Sequence, residues 1–163
     1  MIILGVDPGL QKTGWGVIRK DGSHLSYIAC GTFNSDPKAP LAVRLHQLHD
    51  KLRDVMDAHH PDQAAIEETF VNVNPASTLK LGQARGALLM TLSLTGIDVH
   101  EYSATQIKKT VVGVGRADKS QVKMMVEMLL PASKGEQKGP DATDALAVAI
   151  CHAHHAVMKQ KLS

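Results

Sequence analysis

The sequence predicts an α/β fold, a mixed five-stranded sheet of three antiparallel then parallel strands, flanked by helices. Three patterns predict it. Strand-like runs joined by tight turns fill the first part of the chain, and later strands alternate with segments of helical periodicity. Two of the apolar strand runs end on an acid.

Ile2 to Val6 is a continuous apolar run, the mark of a buried strand, and Pro8-Gly9 turns the chain after it. The run has no basic segment before it and meets Asp7 at once, so it reads as a strand and not a signal peptide. Gly14-Trp15-Gly16-Val17-Ile18 begins a second strand. Asp21-Gly22 is a hairpin signal that returns the chain into His24 to Phe33, completing an antiparallel meander. Asn34 to Pro40 reads as a loop.

Leu41, Leu45, Leu48, Leu52, Val55 and Met56 recur at steps of four and three and predict an amphipathic helix, ended by Pro61. Gln63 to Glu67 is a short buried strand, and Ser77 to Leu94 a helix stopped by Gly96. Ile97 to Tyr102 is the fifth strand, with Ser103 as the N-cap of a short helix. Val122, Met125, Val126 and Leu129 define a further helix stopped by Pro131. Ala132 to Pro140 is flexible by composition, and Asp141 opens the last helix.

At 163 residues the chain is expected to form one domain with a substantial core. Aromatic residues are only 3% of it, so that core must be aliphatic. Cys30 and Cys151 lack metal-ligand spacing and are too few for a disulfide framework, which fits a reduced, cytoplasmic setting. The apolar stretch from Gly86 to Ile97 is too short and interrupted to span a bilayer. The net charge of +2 says little about a nucleic-acid partner, because an acidic pocket would mask a basic rim in the sum.

Asp7, Glu67, Asp141 and Asp144 carry the chemistry. Asp7 closes Ile2-Ile3-Leu4-Gly5-Val6, Glu67 closes Ala64-Ala65-Ile66, and Asp141 and Asp144 head the apolar run from Ala145 to Ile150. Strand C-termini are where open α/β sheets place ligands, and an i, i+3 pair shares one helix face. Singly each acid has an ordinary use: Asp7 as a turn former, Asp141 as an N-cap. Together they would repel, at roughly 3 kcal/mol for two charges about 5 Å apart at an effective dielectric near 20. A hard divalent cation, Mg²⁺ first, removes that cost. Two Mg²⁺ ions would balance four carboxylates and meet the needs of in-line phosphodiester hydrolysis. Glu68, by strand alternation, points to the face opposite Glu67.

These residues and several longer motifs resemble the RuvC family of bacterial Holliday-junction resolvases. The similar segments are Asp7-Pro8-Gly9, Thr13 to Ile18, Ala65-Ile66-Glu67, Leu79 to Gly86, Lys108 to Gly113, Ala117 to Val122 and Asp141 to Ala147. They cover essentially the whole chain in order. Trp15 stands where a tyrosine is common in the family, a departure that puts nothing catalytic in doubt. The resemblance implies an RNase H-like fold and a homodimer that nicks two opposed strands of four-way junction DNA. It places Asp7, Glu67, Asp141 and Asp144 at the family's metal-binding positions, with two Mg²⁺ per subunit and Mn²⁺ as a substitute. RuvA and RuvB branch-migration proteins are the implied partners.

Lys108, Lys109, Arg116, Lys119 and Lys123 form either a solvated surface or a phosphate-tracking rim beside the acids. By the resemblance Lys108 and Lys119 match lysines needed for activity at the scissile phosphate. Lys80 and Arg85 are weaker DNA-contact candidates. Phe70 follows the Glu67 strand in a loop ending near Pro75; it is either core or a stacking surface for an unpaired base, and the resemblance favours the second. Gly82 and Gly86 leave a smooth helix strip, for packing on the protein's own sheet or for a two-fold contact. His152, His154 and His155 read as an exposed helix tail, and no zinc pattern is completed. Gly113-Val114-Gly115 before Asp118-Lys119-Ser120 lacks the glycine that a phosphate-binding loop needs before its lysine.

Three rival readings are weighed against the resolvase. An RNA-trimming RNase H-like nuclease would share the acids. An actin-like sugar kinase opens on a similar strand but needs paired domains that do not fit this length. A junction-binding scaffold would hold DNA without cutting it.

Overall fold

The computed structural model describes residues 1–70 and 73–161, and side chains through residue 156. Its strands are β1 (Ile2–Asp7), β2 (Lys12–Asp21), β3 (His24–Asn34), β4 (Gln63–Glu67) and β5 (Asp98–Tyr102). The helices are α1 (Leu41–His59), α2 (Pro75–Ser93), α3 (Ala104–Val112), α4 (Lys119–Leu129) and α5 (Pro140–Lys161). The strand order is β3-β2-β1-β4-β5. Strands β1, β2 and β3 pair antiparallel, whereas β4 joins β1 in parallel and β5 joins β4 in parallel. That is the mixed sheet the sequence predicts.

Two cores sandwich this sheet. Leu4, Val6, Val17, Ala64 and Ile66 pack with α1 and α2 through Leu48, Leu52, Leu88 and Leu92. Ile3, Ile18, Ala65 and Tyr102 pack on the other side with α3, α4 and α5. Because side chains alternate along a strand, the residues that follow Ile3 and Ala65 by four and two, Asp7 and Glu67, share the α5 face.

The α5 helix lies directly on the strand backbones. A Cβ at Gly5 would stand 2.2 Å from the Ala145 carbonyl oxygen, and one at Gly14 would stand 2.0 Å from that of Asp141. Only glycine allows backbone to meet backbone so closely. Ala142, Ala145 and Ala149 are fully buried, so the helix side of the contact is small as well.

Local signals explain most boundaries. Asn74 accepts from the amides of Ala76 and Ser77 to start α2, with Pro75 at its first position. Ser103 with Gln106, and Asp118 with Gln121, form capping boxes at the starts of α3 and α4.

Two expectations need correction. The segment between α4 and α5 is tied down: after a 3-10 turn at Pro131–Ser133, the Gln137 amide donates to Ser133 Oγ and accepts from Thr143 Oγ1. Composition misses this because it does not show which side chains pair, here at separations of four and six residues. The last helix is also not an exposed tail at His152. That ring is buried, with Nδ1 2.9 Å from the Tyr102 hydroxyl and Nε2 2.8 Å from Gln63 Oε1. His155 is half-buried and His154 exposed. No helix among the described residues is long and apolar enough to cross a membrane.

Candidate active site

Asp7 ends β1 and Glu67 ends β4, and the two strands run parallel with Val6 opposite Ile66, so the acids emerge side by side. Asp141 and Asp144 lie in the first turns of α5, which Gly14 admits to the β1–β2 edge; Gly14 is itself the ladder partner of Asp7. Three elements distant in sequence thereby bring four acids to one end of the sheet.

Their protonation records this convergence. Burial pushes the Asp7 carboxyl up to about 8, helped by the charges of Glu67, Asp144 and Asp141 and opposed by Lys119. Burial likewise pushes Glu67 up to about 7, with Asp144 adding to the rise and Lys108 opposing it. Asp144 is also raised, first by burial, against the pull of Lys119 and Lys108. Five elements thus contribute charge to one field, since Lys108 belongs to α3 and Lys119 to α4.

A cavity of about 190 Å³ opens among Glu67, Lys108, Lys119 and Asp144. A neighbouring one of about 300 Å³ is lined by Lys119, Lys123, Gln137 and Asp144. A larger cavity, about 570 Å³, lies at the other end of the sheet beside Met1, Gln63, Asp98 and His152, away from the acids. It has no share in the acidic constellation.

Among the described residues, no three His, Cys, Asp or Glu side chains form a ready-made metal-holding group. The four acids feel one another's charge without closing into a ligand set. Their chemistry nonetheless fits a hard divalent cation: the donors are carboxylate oxygens, and two carboxyls are held well above their ordinary range by burial and mutual charge.

The chain matches the family described as Crossover junction endodeoxyribonuclease RuvC over residues 3–152. That match decides the family. The chain belongs to the RuvC family. Membership makes it a Holliday-junction-resolving nuclease, a hydrolase. The RuvC of Paramagnetospirillum magneticum is 55% identical over 163 residues, covering all of this chain and 97% of that relative. The RuvC of Azorhizobium caulinodans is 55% identical over 153 residues, 94% of this chain and 89% of that one. Among solved structures, Thermus thermophilus RuvC in complex with a Holliday junction substrate superposes with a TM-score of 0.89 at 30% identity, covering 98% of this chain and 96% of that chain. The yeast mitochondrial Holliday junction resolvase shares the fold, with a TM-score of 0.68 at 11% identity, covering 99% of this chain and 84% of that chain.

Lys109, Arg116, Lys119 and Lys123 are exposed; Lys119 and Lys123 line the cavity beside Asp144, and Lys123 stands 3.9 Å from Glu127. Lys80 is exposed on α2. Phe70 is 58% exposed, so it is not a core residue. Part of the loop that follows it, residues 71 and 72, lies outside the described residues. Arg85 is placed differently from the others: its side chain is only 16% exposed and its guanidinium is engaged by Glu67 and Glu101. Glu68 is exposed beyond the end of β4, and its amide donates to the Tyr102 carbonyl.

Gly82 and Gly86 are also resolved by geometry. A Cβ at either position would meet nothing within 4 Å, so the chain's own sheet does not require them. Sequence reasoning missed Gly5 and Gly14, the positions that do admit a helix. Glycines inside strand patterns were the available signal.

Proposed function

We propose that this resolvase cuts four-way junctions by divalent-metal-dependent hydrolysis, one strand per subunit, with paired symmetric nicks made by a homodimer. The observation that carries the reading is the convergence of Asp7, Glu67, Asp141 and Asp144 beside a cavity flanked by Lys108 and Lys119. Mg²⁺ is the proposed cofactor, two ions per subunit, with Mn²⁺ as a substitute.

Asp7, Glu67, Asp141 and Asp144 would hold the ions. When bound, such ions neutralise a phosphate and acidify a water for in-line attack. Lys108 and Lys119 orient the scissile phosphate and offset charge that develops on it. Lys80, Lys109, Arg116 and Lys123 track neighbouring phosphates, and Phe70, exposed at the loop beyond Glu67, stacks on an unpaired base. RuvA and RuvB are the proposed partners in the cytoplasm.

The homodimer reading has a surface to use. Leu79, Gly82, Gly86 and Met90 follow one face of α2 at steps of three and four, with Leu79 and Met90 exposed and both glycines open. A two-fold helix pair suits a smooth apolar strip of this kind. Gly86→Arg is therefore expected to yield a folded monomer by sedimentation, with circular dichroism unchanged. A dimer that survives it would move the contact elsewhere.

The decisive assay compares a four-way junction, a linear duplex and an RNA–DNA hybrid, each with and without Mg²⁺. Junction cutting that needs Mg²⁺ is expected, with paired nicks across the junction. Preferred cutting of the hybrid would favour the RNA-trimming rival, and binding without cutting would favour a scaffold.

A further inference from the structure

Arg85 projects from α2 toward the sheet end where the acids gather. Its Nε donates 2.9 Å to the backbone carbonyl of Glu67, and its Nη2 pairs with the Glu101 carboxylate of β5. One planar guanidinium thus bridges the last residue of β4 and the penultimate residue of β5. Helix α2 is anchored beside it by the buried Ala84 and Leu88. The Glu67 carbonyl is also the point where the chain leaves the sheet for the loop bearing Phe70.

We propose that Arg85 is a positioning residue, tying the end of β4 to α2 and β5 so that the Glu67 carboxylate stands at a fixed place beside Asp7. Two features favour this over a phosphate contact. The side chain is mostly buried, unlike the exposed Lys109, Lys119 and Lys123. Its donors are directed at two protein acceptors on different strands, a use suited to arginine's rigid fork and not to lysine's point charge. Strand ends lose the ladder that holds strand interiors, so a carbonyl there gains from an outside donor. The proposal rests on the reading of Glu67 as a site acid.

The test uses the full chain carrying Arg85→Met, Arg85→Lys or Glu101→Gln, on a four-way junction with Mg²⁺. The single-turnover rate at saturating protein is measured apart from junction affinity across a salt series. Arg85→Met is expected to cut about 30- to 100-fold more slowly at saturation, the scale of a small misplacement of a reacting group. Affinity should stay within about 3-fold and its salt slope should be unchanged, since no phosphate contact is lost. Arg85→Lys should fail to restore the rate. Glu101→Gln should slow cutting by a smaller factor, and the double variant should be no slower than Arg85→Met, because both remove one tie.

A phosphate-contact role gives the reverse pattern: weaker affinity, a salt slope reduced by about 1, near-normal cutting by Arg85→Lys and none of the slowing in Glu101→Gln. That pattern overturns the proposal, as does an unchanged rate in Arg85→Met. If Arg85→Met does not fold, an unchanged saturating rate in Glu101→Gln overturns it and a slowed one supports it. Glu67→Gln in the same assay separates the two levels. Full cutting by that variant removes the reading of the site, whereas its failure beside a normal Arg85→Met removes this proposal alone.

Discussion

Asp7→Asn is expected to stop junction cutting while making the metal-free protein more stable at pH 8. The two effects share one cause. The Asp7 carboxyl sits at about 8 in the folded chain against 3.8 ordinarily, because burial and three neighbouring acids disfavour its charge. Between those values the folded state binds more protons than the unfolded one, so stability falls as pH rises from about 4 to about 8. The penalty is absent below that window and complete above it. Asparagine keeps the shape and removes the charge. One pKa unit corresponds to about 1.4 kcal/mol, and after relaxation of the neighbouring acids a gain of about 2 kcal/mol is reasonable. For a chain of this size that is a rise in Tm of about 4–8 °C.

The same substitution removes a proposed cation ligand, so the cleavage rate should fall on the order of 10³-fold or more. Junction affinity should change little, since phosphate contacts elsewhere dominate it. Millimolar Mg²⁺ should raise the Tm of the wild-type chain and raise that of Asp7→Asn less. Thermal melts at pH 5 and pH 8, with and without Mg²⁺, check the sign. A lower Tm for Asp7→Asn at pH 8 would remove the repulsion argument, and retained cutting would remove the role of Asp7.

How much of this was readable beforehand depends on the range of the interaction. Asp7 and Glu67 were legible because each sits where a buried strand pattern stops, and a period of two settles which face it takes. Ser103 was equally local, since a cap needs only its own first turn. Arg85 was not legible: a basic residue on a helix looks the same whether it meets a phosphate or a strand-end carbonyl 18 residues away in sequence. His152 hid for the same reason, its partners Tyr102 and Gln63 lying 50 and 89 positions distant. The glycines divide similarly. Gly82 and Gly86 attracted notice through helix propensity yet meet nothing, whereas Gly5 and Gly14 set the helix-to-sheet distance.

Gly14→Ala should accordingly damage the enzyme more than its size suggests. The added methyl would stand 2.0 Å from the Asp141 carbonyl oxygen and 2.5 Å from its carbonyl carbon. Those are backbone atoms at the start of α5, which no rotamer change can withdraw. Relief requires the first turn of the helix to lift by about 1 Å, the scale at which misplaced catalytic groups lose about 10²-fold in rate. Overpacking of this kind costs about 1–3 kcal/mol, so the variant should fold with a reduced Tm. Gly5→Ala presses on Ala145 and Ala149 deeper along the same helix, where Leu146 and Ile150 are fully buried. It should therefore lose more stability, while Gly14→Ala should lose more rate for each degree of Tm. Raising Mg²⁺ cannot restore the Gly14→Ala rate if the ligands themselves are displaced. Normal cutting by a folded Gly14→Ala would mean that Asp141 and Asp144 need not lie so close to β1, and the convergence of the acids would lose its physical cause.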